Sequence, residues 1–559
     1  MFVRAKKSGA YEYLQIVHNE RVEGRIRQRV IATLGRLDLL QKTGQIDALI
    51  SSCSRFAEFT AVLDAHRRGE TPGAETVKIG PALLFERLWR ELAVPKVIEH
   101  VLAGRKFEFA VERAVFLTVL HRLFPSGSDR AAEVWRQGYA IDGVEGLELH
   151  QLYRTMFWLG ESLPDDQQFG ATPFAKRATK DLIEETLFNH RRDILTTLDI
   201  VFFDTTSIYF EGRGGESIGQ FGKSKDNRSD RKQMIVGVVL DNTARPVCCE
   251  LWPGNTSDAK SLIPIVDRLK ARFAIGAICV VADRGMISRE TIAKLKDVHR
   301  DTRFILGALL RAVKEIRGEV LSRAGRYKVV RGPKKHSKDP APLKVKEVRV
   351  ENRRYVVCYN PDQAAKDRAD REAIVAALRE QLKHGAKALV GNKGYRKYLK
   401  VSSGSGFELD EEKARREARF DGKWVLQTDM EMPAADVALK YKELWLVEAT
   451  FRNLKSVLET RPVYHKRDET IRGHVFCSFL ALVLLKELLT RLEQRGWQPE
   501  WERLKDDLDA LEEITVKSAG RTFVIRSRTH GDAGKALQAV GVALGPTIRL
   551  TDGNGTIKE

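Results

Sequence analysis

Two short apolar runs that each end in an aspartate constrain the fold of this chain more than any other feature. Residues 200–203 (IVFF) lead into Asp204, and residues 278–282 (ICVVA) lead into Asp283. Runs of this length that are rich in β-branched and aromatic residues are typical of buried strands. The same patterns predict further strands at 234–240, 247–251 and 303–309 and helices at 259–272 and 288–299. The predicted order is three strands, helix, strand, helix, strand.

This order resembles the RNase H-like fold, in which an acid on the first strand and an acid at the end of the fourth strand face the same edge of the sheet. The resemblance implies that Asp204 and Asp283 lie close together. A third acid, Glu448, falls within residues 441–455 (YKELWLVEATFRNLK), where hydrophobic spacing predicts a helix. Two strand acids and one helix acid form a ligand set that suits a pair of divalent cations.

The predicted helix at 441–455 has two adjacent faces when its residues are placed at about 100° each. One face carries a single acid among aromatic and basic side chains: Tyr441, Trp445, Glu448, Arg452 and Lys455. The other face is apolar: Leu444, Val447, Phe451, Leu454 and Leu458. An ordinary surface helix with an i,i+4 ion pair from Glu448 to Arg452 gives the same pattern. The two strand acids favour a functional site instead.

Charge and length narrow the class of protein. The chain has 559 residues and a net charge of +19, with 43% hydrophobic and 31% charged residues. These values are typical of a globular protein of several domains, and a basic excess favours a polyanion such as nucleic acid. A ribosome-associated or merely basic enzyme is the alternative that charge alone leaves open. None of the six cysteines forms a C-x-x-C pair, so we expect neither a zinc knuckle nor a disulfide framework.

The sequence contains no predicted membrane segment. The N-terminus lacks the apolar core of a signal peptide, and residues 475–485 (VFCSFLALVLL) are too few to span a bilayer. We interpret 475–485 as a buried core helix. We therefore expect no membrane partner and a cytoplasmic, nucleoid-associated location.

We predict a multidomain α+β chain. Its RNase H-like mixed β-sheet core is flanked by helices and interrupted by a β-rich insertion, and an N-terminal β-hairpin and helical region precede it. The helical region is expected either to carry a DNA-binding helix pair or to be a structural bundle. The segments are an N-terminal β-meander and linker (1–78), the helical region (79–196), the first part of the catalytic domain (197–310), the insertion (311–435), closing helices with Glu448 (436–495) and a small C-terminal region (496–559).

A resemblance to a known family rests on the predicted helix at 441–455 and on short motifs elsewhere in the chain. Residues 441–455 resemble the Y-x2-R-x3-E-x6-K signature of DDE transposases from bacterial insertion sequences, the insertion-sequence-four superfamily. Tyr441, Glu448 and Lys455 match it, Trp445 matches an aromatic often found there, and Leu444 replaces the arginine. The remaining phrases are Asp204-Thr205-Thr206, Asp283-Arg284-Gly285, GKSKDNRSDRKQ (222–233), PGNTSD (253–258), GNKGY (391–395) and RPVYH (461–465).

The resemblance implies a metal-dependent enzyme that cleaves DNA at the terminal inverted repeats of its own element and transfers the strand to target DNA. Asp204, Asp283 and Glu448 would be both the catalytic residues and the ligands of two Mg²⁺ ions, for which Mn²⁺ substitutes. The expected assembly is a homodimer in a synaptic complex. Two alternatives remain: an RNase H-like nuclease without strand transfer, and an inactive transposase-derived DNA-binding protein.

The remaining candidates are contacts around this centre. The candidate DNA-binding residues are Tyr441, Trp445, Arg452, Lys455, Arg284, Lys223, Lys225, Arg228, Arg231 and Lys232. Trp252 and Trp445 are candidates for stacking on a base, although Trp252 fits a core position equally well. We expect structural roles for His465 and His474, and for the rival acids Asp258 and Asp421, which lie beside turn-forming residues.

Overall fold

The computed structural model describes most of the chain and divides it into two compact units. The described residues are 1–22, 25–54, 73–171, 175–191, 200–273, 278–283, 286, 289–297, 301–336, 339–383, 397–401, 407–458, 460, 463–518 and 521–551. Arg284 and the phrase at 391–395 therefore lie outside them. The first unit comprises residues 1–76, 514–526 and 546–559, and the second comprises residues 77–513 and 527–545.

The first unit is built from two small sheets, one of three strands and one of four. Its N-terminal sheet has three strands in sequence order, as the alternation of apolar and polar residues predicts: β1 (Phe2–Ser8), β2 (Tyr11–Val22) and β3 (Arg25–Arg36). Two helices follow, α1 (Leu37–Lys42) and α2 (Gln45–Ser54). The second sheet joins distant parts of the chain: β4 (Gly73–Lys78), β16 (Glu512–Ser518), β17 (Arg521–Arg526) and β18 (Ile548–Thr551).

The second unit begins with a helical layer that belongs to the main core. Its helices are α3 (Gly80–Glu91), α4 (Val94–Val101), α5 (Val111–Leu123), α6 (Asp129–Trp135), α7 (Leu149–Gly160) and α8 (Thr179–Arg191). Helix α5 is buried along nearly its whole length, and its buried residues include the polar Thr118, His121 and Arg122. This layer and the central sheet share one hydrophobic cluster, so the apolar faces of its helices pack into the main core.

The catalytic sheet has the strand order that the sequence predicts. Its central strands are β5 (Ile200–Tyr209), β6 (Gln233–Leu240), β7 (Pro246–Pro253), β8 (Ile278–Ala282) and β9 (Thr302–Gly307). They lie in the order β7-β6-β5-β8-β9, with β5, β6 and β7 antiparallel and β8 and β9 parallel to β5. The helices α9 (Asp258–Phe273) and α10 (Arg289–Asp297) connect the later strands. This arrangement confirms the RNase H-like core.

The strands of the predicted insertion continue the same sheet. Segment 311–435 contributes β10 (Lys328–Arg331), β11 (Leu343–Val350), β12 (Arg353–Tyr359) and β15 (Lys423–Thr428). Strand β15 pairs with β9, and the nine-stranded order is β10-β11-β12-β15-β9-β8-β5-β6-β7. Between β12 and β15 lie α11 (Pro361–Lys383), β13 (Leu399–Val401), β14 (Phe407–Leu409) and α12 (Glu411–Glu417).

The helix predicted at 441–455 is divided in the structure, which corrects the sequence interpretation. Helix α13 (Ala434–Lys442) ends before Glu443, α14 (Trp445–Arg452) follows, and residues Asn453–Val457 continue as a π-helix. The chain closes with α15 (Asp468–Gln494), α16 (Trp501–Asp509) and α17 (Ala533–Ala539). Helix α15 contains the apolar run 475–485, and every residue of that run is buried. No helix in the described part of the chain has both the length and the apolar character of a membrane span.

A group of buried charges joins the helical layer to the catalytic sheet. Arg272 of α9 is completely buried and contacts Glu184 and Glu185 of α8 and Glu250 of β7 at 2.6, 2.7 and 2.8 Å. Arg268, one helical turn earlier, binds Glu250 at 2.8 Å. Because an unpaired buried charge is very costly, these ion pairs fix how α8 packs on the sheet.

Candidate active site

The register between two parallel strands brings the first two acids together. The pairing of β5 with β8 ends at Phe203 and Ala282, so Asp204 and Asp283 are the next residues on the two strands. Asp283 follows the end of β8, as predicted. Asp204 does not end its strand, which corrects the sequence interpretation. Strand β5 continues to Tyr209 because the following residues are buried and pair with β6: Thr205, Thr206 and Ser207.

The third acid reaches the same pocket from α14. A cavity of about 410 Å³ is lined by Asp204, Thr205, Thr206, Lys225, Asp258, Asp283, Met286, Glu448 and Phe451. The apolar face of the Glu448 segment packs into the core, where all five of its members are buried: Leu444, Val447, Phe451, Leu454 and Leu458. Burial of this face leaves Glu448 exposed to the cavity.

The pocket favours a bound cation. The pKa of Asp204 is raised to about 6, chiefly by burial and in smaller part by the negative charges of Asp283 and Asp258. Lys225 and the Thr205 N–H oppose this shift. A buried carboxylate among other carboxylates is costly in its ionised form, and a divalent cation would offset that cost.

Lys225 and Asp258 lie in this pocket, which sequence reasoning did not anticipate for either residue. The Lys225 ammonium donates to the backbone oxygen and hydroxyl of Thr205 at 2.7 and 2.9 Å and pairs with Asp258 at 3.2 Å. Asp258 also accepts a hydrogen bond from the Thr205 hydroxyl at 2.6 Å. Asp258 therefore holds Lys225 in position beside Asp204. Their only sequence signals are the family-like phrases at 222–233 and 253–258.

Two residues of the signature contact either one of the acids or the loop that contains Lys225. The Tyr441 hydroxyl donates to Asp283 Oδ1 at 2.8 Å, and Lys455 forms an ion pair with Asp226 at 2.8 Å. Asp226 follows Lys225, so adjacent residues of one loop contact Thr205 of β5 and Lys455 of the π-helix that follows α14. Leu444, at the usual arginine position, is 5% exposed and belongs to the core.

The other candidate contacts are dispersed. Trp445, Arg452 and Lys223 are exposed, Lys232 is half-buried, and Arg228 and Arg231 pair with Asp230. Trp252 is fully buried against Phe203, so it is a core residue rather than a stacking platform. Asp421 lies in an ion pair with Arg371 and does not line the pocket.

The two histidines form a buried cluster of their own. His465 Nε2 and His474 Nδ1 are 3.0 Å apart, and a carboxylate oxygen of Asp129 lies 3.9 Å from His465. Three ligand atoms of this kind could in principle hold a metal ion. The Arg122 guanidinium, however, lies 3.0 Å from His474 Nδ1 and occupies the approach to it. The cluster is therefore a structural hydrogen-bond network.

Comparison with known proteins identifies the family. Residues 196–484, more than half of the chain, match the Transposase DDE domain, and residues 2–64 match the N-terminal domain of IS1634 family transposases. The chain belongs to the DDE transposase family. This transposase is thus an enzyme that acts on DNA, as the sequence predicts, and it comes from an insertion sequence.

Comparisons with curated proteins and with solved structures give no further evidence for the family. No curated protein matches the transposase in sequence. A solved synaptic complex of piggyBac transposase with hairpin DNA is similar over 77% of this chain and 79% of that chain, with 10% sequence identity and a TM-score of 0.36. The assignment rests on the domain matches.

The family implies dependence on a divalent metal, and the residues of the pocket fit one. Asp204, Asp283 and Glu448 supply carboxylate oxygens, the ligands that hard cations such as Mg²⁺ prefer. Burial, the main cause of the raised pKa of Asp204, makes its ionised form costly, and a divalent cation would offset that cost.

Proposed function

We propose that this transposase cleaves DNA at the terminal inverted repeats of its insertion sequence and joins the freed strand to target DNA. The observation that carries the proposal is the presence of Asp204, Asp283 and Glu448 in one cavity beside a fixed lysine. No serine, cysteine or tyrosine nucleophile is required. The same carboxylates serve hydrolysis and the attack of the 3′-hydroxyl.

Two Mg²⁺ ions are the proposed cofactors, with Mn²⁺ as a substitute. Asp204, Asp283 and Glu448 would hold the ions through their carboxylate oxygens. When bound, the ions activate the attacking oxygen and stabilise the leaving oxygen of the phosphodiester.

The side chains around the acids would bind and orient the DNA. Lys225 presents its ammonium inside the cavity, where it would contact a phosphate beside the cleaved bond. Trp445 and Arg452 are exposed on the helix that carries Glu448 and would contact the strand outside the cavity. Tyr441 and Lys455 would hold Asp283 and the loop at 222–233 in place rather than bind DNA directly.

A homodimer on a pair of element ends is the proposed active assembly, because two ends must be cut in a coordinated way. A chain that acts on chromosomal DNA would work in the cytoplasm, associated with the nucleoid.

Cleavage of a labelled duplex that carries the element's own end tests the proposal. We expect cutting in Mg²⁺, none in EDTA, and none by the isosteric variants Asp204→Asn, Asp283→Asn and Glu448→Gln, all of which still bind the duplex. Asp421→Asn is the matched control, since this acid lies outside the cavity, and it should cut normally. Cutting by Glu448→Gln would remove that residue from the catalytic set.

A joining assay separates the main alternatives. Wild-type protein that is given a pre-cut end and a plasmid should insert the end into the plasmid. Cutting without insertion would favour an RNase H-like nuclease. Binding without either reaction would favour a transposase-derived DNA-binding protein.

A further inference from the structure

A second cavity, far along the chain from the catalytic acids, has an unusual lining of aromatic rings and arginines. This aromatic groove has a volume of about 440 Å³ and is lined by Arg105, Phe107, Tyr153, Arg154, Phe157, Trp158, Glu161, Arg467 and Thr470. Four of the nine residues are aromatic and three are arginines. The groove lies between α7, the start of α15 and the segment that precedes α5.

Two arginines of the groove lie over its rings at cation–π distance. The Arg154 guanidinium lies 5.8 Å from the Phe107 ring centre, and that of Arg467 lies 5.7 Å from the Phe157 ring centre. A guanidinium that covers a ring with one face offers its other face to a further planar group. The side chain of Tyr153, which is 39% exposed, adds an accessible ring at the rim.

The charges of the groove favour an anionic occupant. Glu161 is the one carboxylate among the lining residues, and it is paired with Arg105. Arg154 and Arg467 are exposed and add two positive charges beside the rings. Planar ring surfaces together with the exposed guanidinium groups, of which Arg154 also lies 4.0 Å from the exposed Glu108 carboxylate, fit a nucleotide, whose base stacks and whose phosphate is an anion.

The shape of the groove favours an unpaired nucleotide over a duplex. Trp158 is 3% exposed, and Phe107 and Phe157 are half-buried, so the ring faces are recessed. A base inside a duplex cannot reach such faces, whereas an unstacked base can. A duplex would contact the rim through its phosphates, which the arginines bind, and would stack no base on a ring.

One short segment connects the groove to the catalytic strand. Val463 forms a bridge with Phe210, the residue after β5, and Arg467 lines the groove four residues later. The Asp468 carboxylate accepts hydrogen bonds from the backbone N–H groups of Glu216 and Ser217, at 2.9 and 3.0 Å, in the loop that follows β5. Six residues of strand separate Asp204 from Phe210, about 20 Å, or about six nucleotide steps.

We propose that the aromatic groove binds unpaired nucleotides of the DNA substrate. This inference rests on the proposed function only in taking DNA as the substrate. It requires neither metal nor cleavage, so it is tested by binding alone.

The test measures the affinity of the full chain, in EDTA, for fluorescent oligothymidine, for the same strand with abasic sites, and for a blunt duplex. We expect Tyr153→Ala to weaken binding of oligothymidine roughly 5- to 100-fold, as the loss of one stacked base does. Binding of the abasic strand and of the duplex should not change. Arg154→Ala should also weaken binding of the abasic strand, because it removes a phosphate contact.

Phe169→Ala is the matched control. Phe169 is 55% exposed and lies under the Arg177 guanidinium, but it does not line the groove, so its loss should not alter any of the three affinities. Equal loss of single-strand and duplex binding in Tyr153→Ala would overturn the proposal, as would no loss at all. Either result would leave the cleavage assay of the catalytic acids unaffected, so the two proposals fail separately.

Discussion

The Tyr441 hydroxyl donates a hydrogen bond to Oδ1 of Asp283 over 2.8 Å. A hydrogen bond to a charged group contributes about 1.5–3 kcal/mol, which is roughly 10- to 100-fold in rate when the bond positions a catalytic group. We therefore expect Tyr441→Phe to slow single-turnover cleavage by about that factor without changing duplex affinity. The Mg²⁺ concentration for half-maximal cleavage should rise, because Asp283 loses its orienting donor.

The control for Tyr441 is Tyr464→Phe. Tyr464 is 65% exposed, so removal of its hydroxyl should leave the rate unchanged. A weaker duplex affinity in Tyr441→Phe, with an unchanged rate at saturating DNA, would instead make Tyr441 a DNA contact.

Lys225 provides the fixed cation of the pocket, and its neighbour Lys223 provides a matched comparison. Lys225 is tied to Thr205 and Asp258, whereas Lys223 is exposed in the same loop. We expect Lys225→Met to lower the cleavage rate and Lys225→Arg to restore part of it. Lys223→Met should only weaken duplex binding. It should also reduce by about one the number of ions released on binding, which the salt dependence of the affinity measures. Equal effects of Lys225→Met and Lys223→Met would mean that Lys225 is an ordinary contact to the DNA backbone.

The raised pKa of Asp204 predicts how stability depends on pH in the metal-free protein. A pKa of about 6 in place of 3.8 means that the ionised carboxylate costs the fold about 3 kcal/mol at neutral pH. The contribution of this group to stability is complete below pH 3.8 and is lost as the pH rises through 6. In EDTA, Asp204→Asn should therefore be the more stable protein at pH 7, and the difference should vanish near pH 4.

Urea unfolding between pH 4 and pH 7 measures this effect. Asp230→Asn is the control, because that side chain is 61% exposed and should give no gain at any pH. Equal stability of wild type and Asp204→Asn at pH 7 would show that ionisation of Asp204 does not destabilise the metal-free fold.

The sequence predicts those features that follow from local periodicity. The apolar runs before Asp204 and Asp283 are strands of one sheet, and the apolar positions from Leu444 to Leu458 are buried as the helical spacing requires. The family signature adds the third acid, Glu448, which no periodicity distinguishes from a surface residue.

Features that depend on long-range contacts were not predictable in the same way. The approach of Lys225 to Asp258 follows from tertiary packing, and neither residue has a local pattern that indicates a pocket. The helix divides near Glu443 although no proline or glycine there indicates a break in the sequence. The pairing of β15 with β9 joins segments more than a hundred residues apart, so the sequence suggested a separate insertion where the structure has one continuous sheet.

Arg272 is the centre of the buried ion pairs between α8 and the sheet. Removal of one partner from a buried cluster leaves uncompensated charge and costs about 3–5 kcal/mol. We expect Arg272→Met to lower the free energy of unfolding by about this amount, measured by urea denaturation. Arg272→Lys should restore little, because an ammonium cannot reproduce the contacts of the guanidinium to four carboxylates. Arg349→Met, at a side chain that is 73% exposed, is the control and should have little effect.

Two glycines allow α7 and α15 to pack at close range. A Cβ at Gly473 of α15 would lie 1.9 Å from the backbone oxygen of Met156, and a Cβ at Gly160 of α7 would lie 1.9 Å from that of Glu469. These are backbone atoms of helices that are buried together, so no flexible side chain can move aside.

We therefore expect Gly473→Ala to force the helices apart and to lower the free energy of unfolding by about 1–3 kcal/mol or more. The loss should occur although alanine is the better helix former by about 1 kcal/mol. Gly138→Ala is the control, since a Cβ there meets nothing within 4 Å. Because α15 also begins at Asp468, which anchors the loop after β5, Gly473→Ala should slow cleavage as well as destabilise the fold. An unchanged unfolding free energy would mean that the two helices can separate without loss of packing.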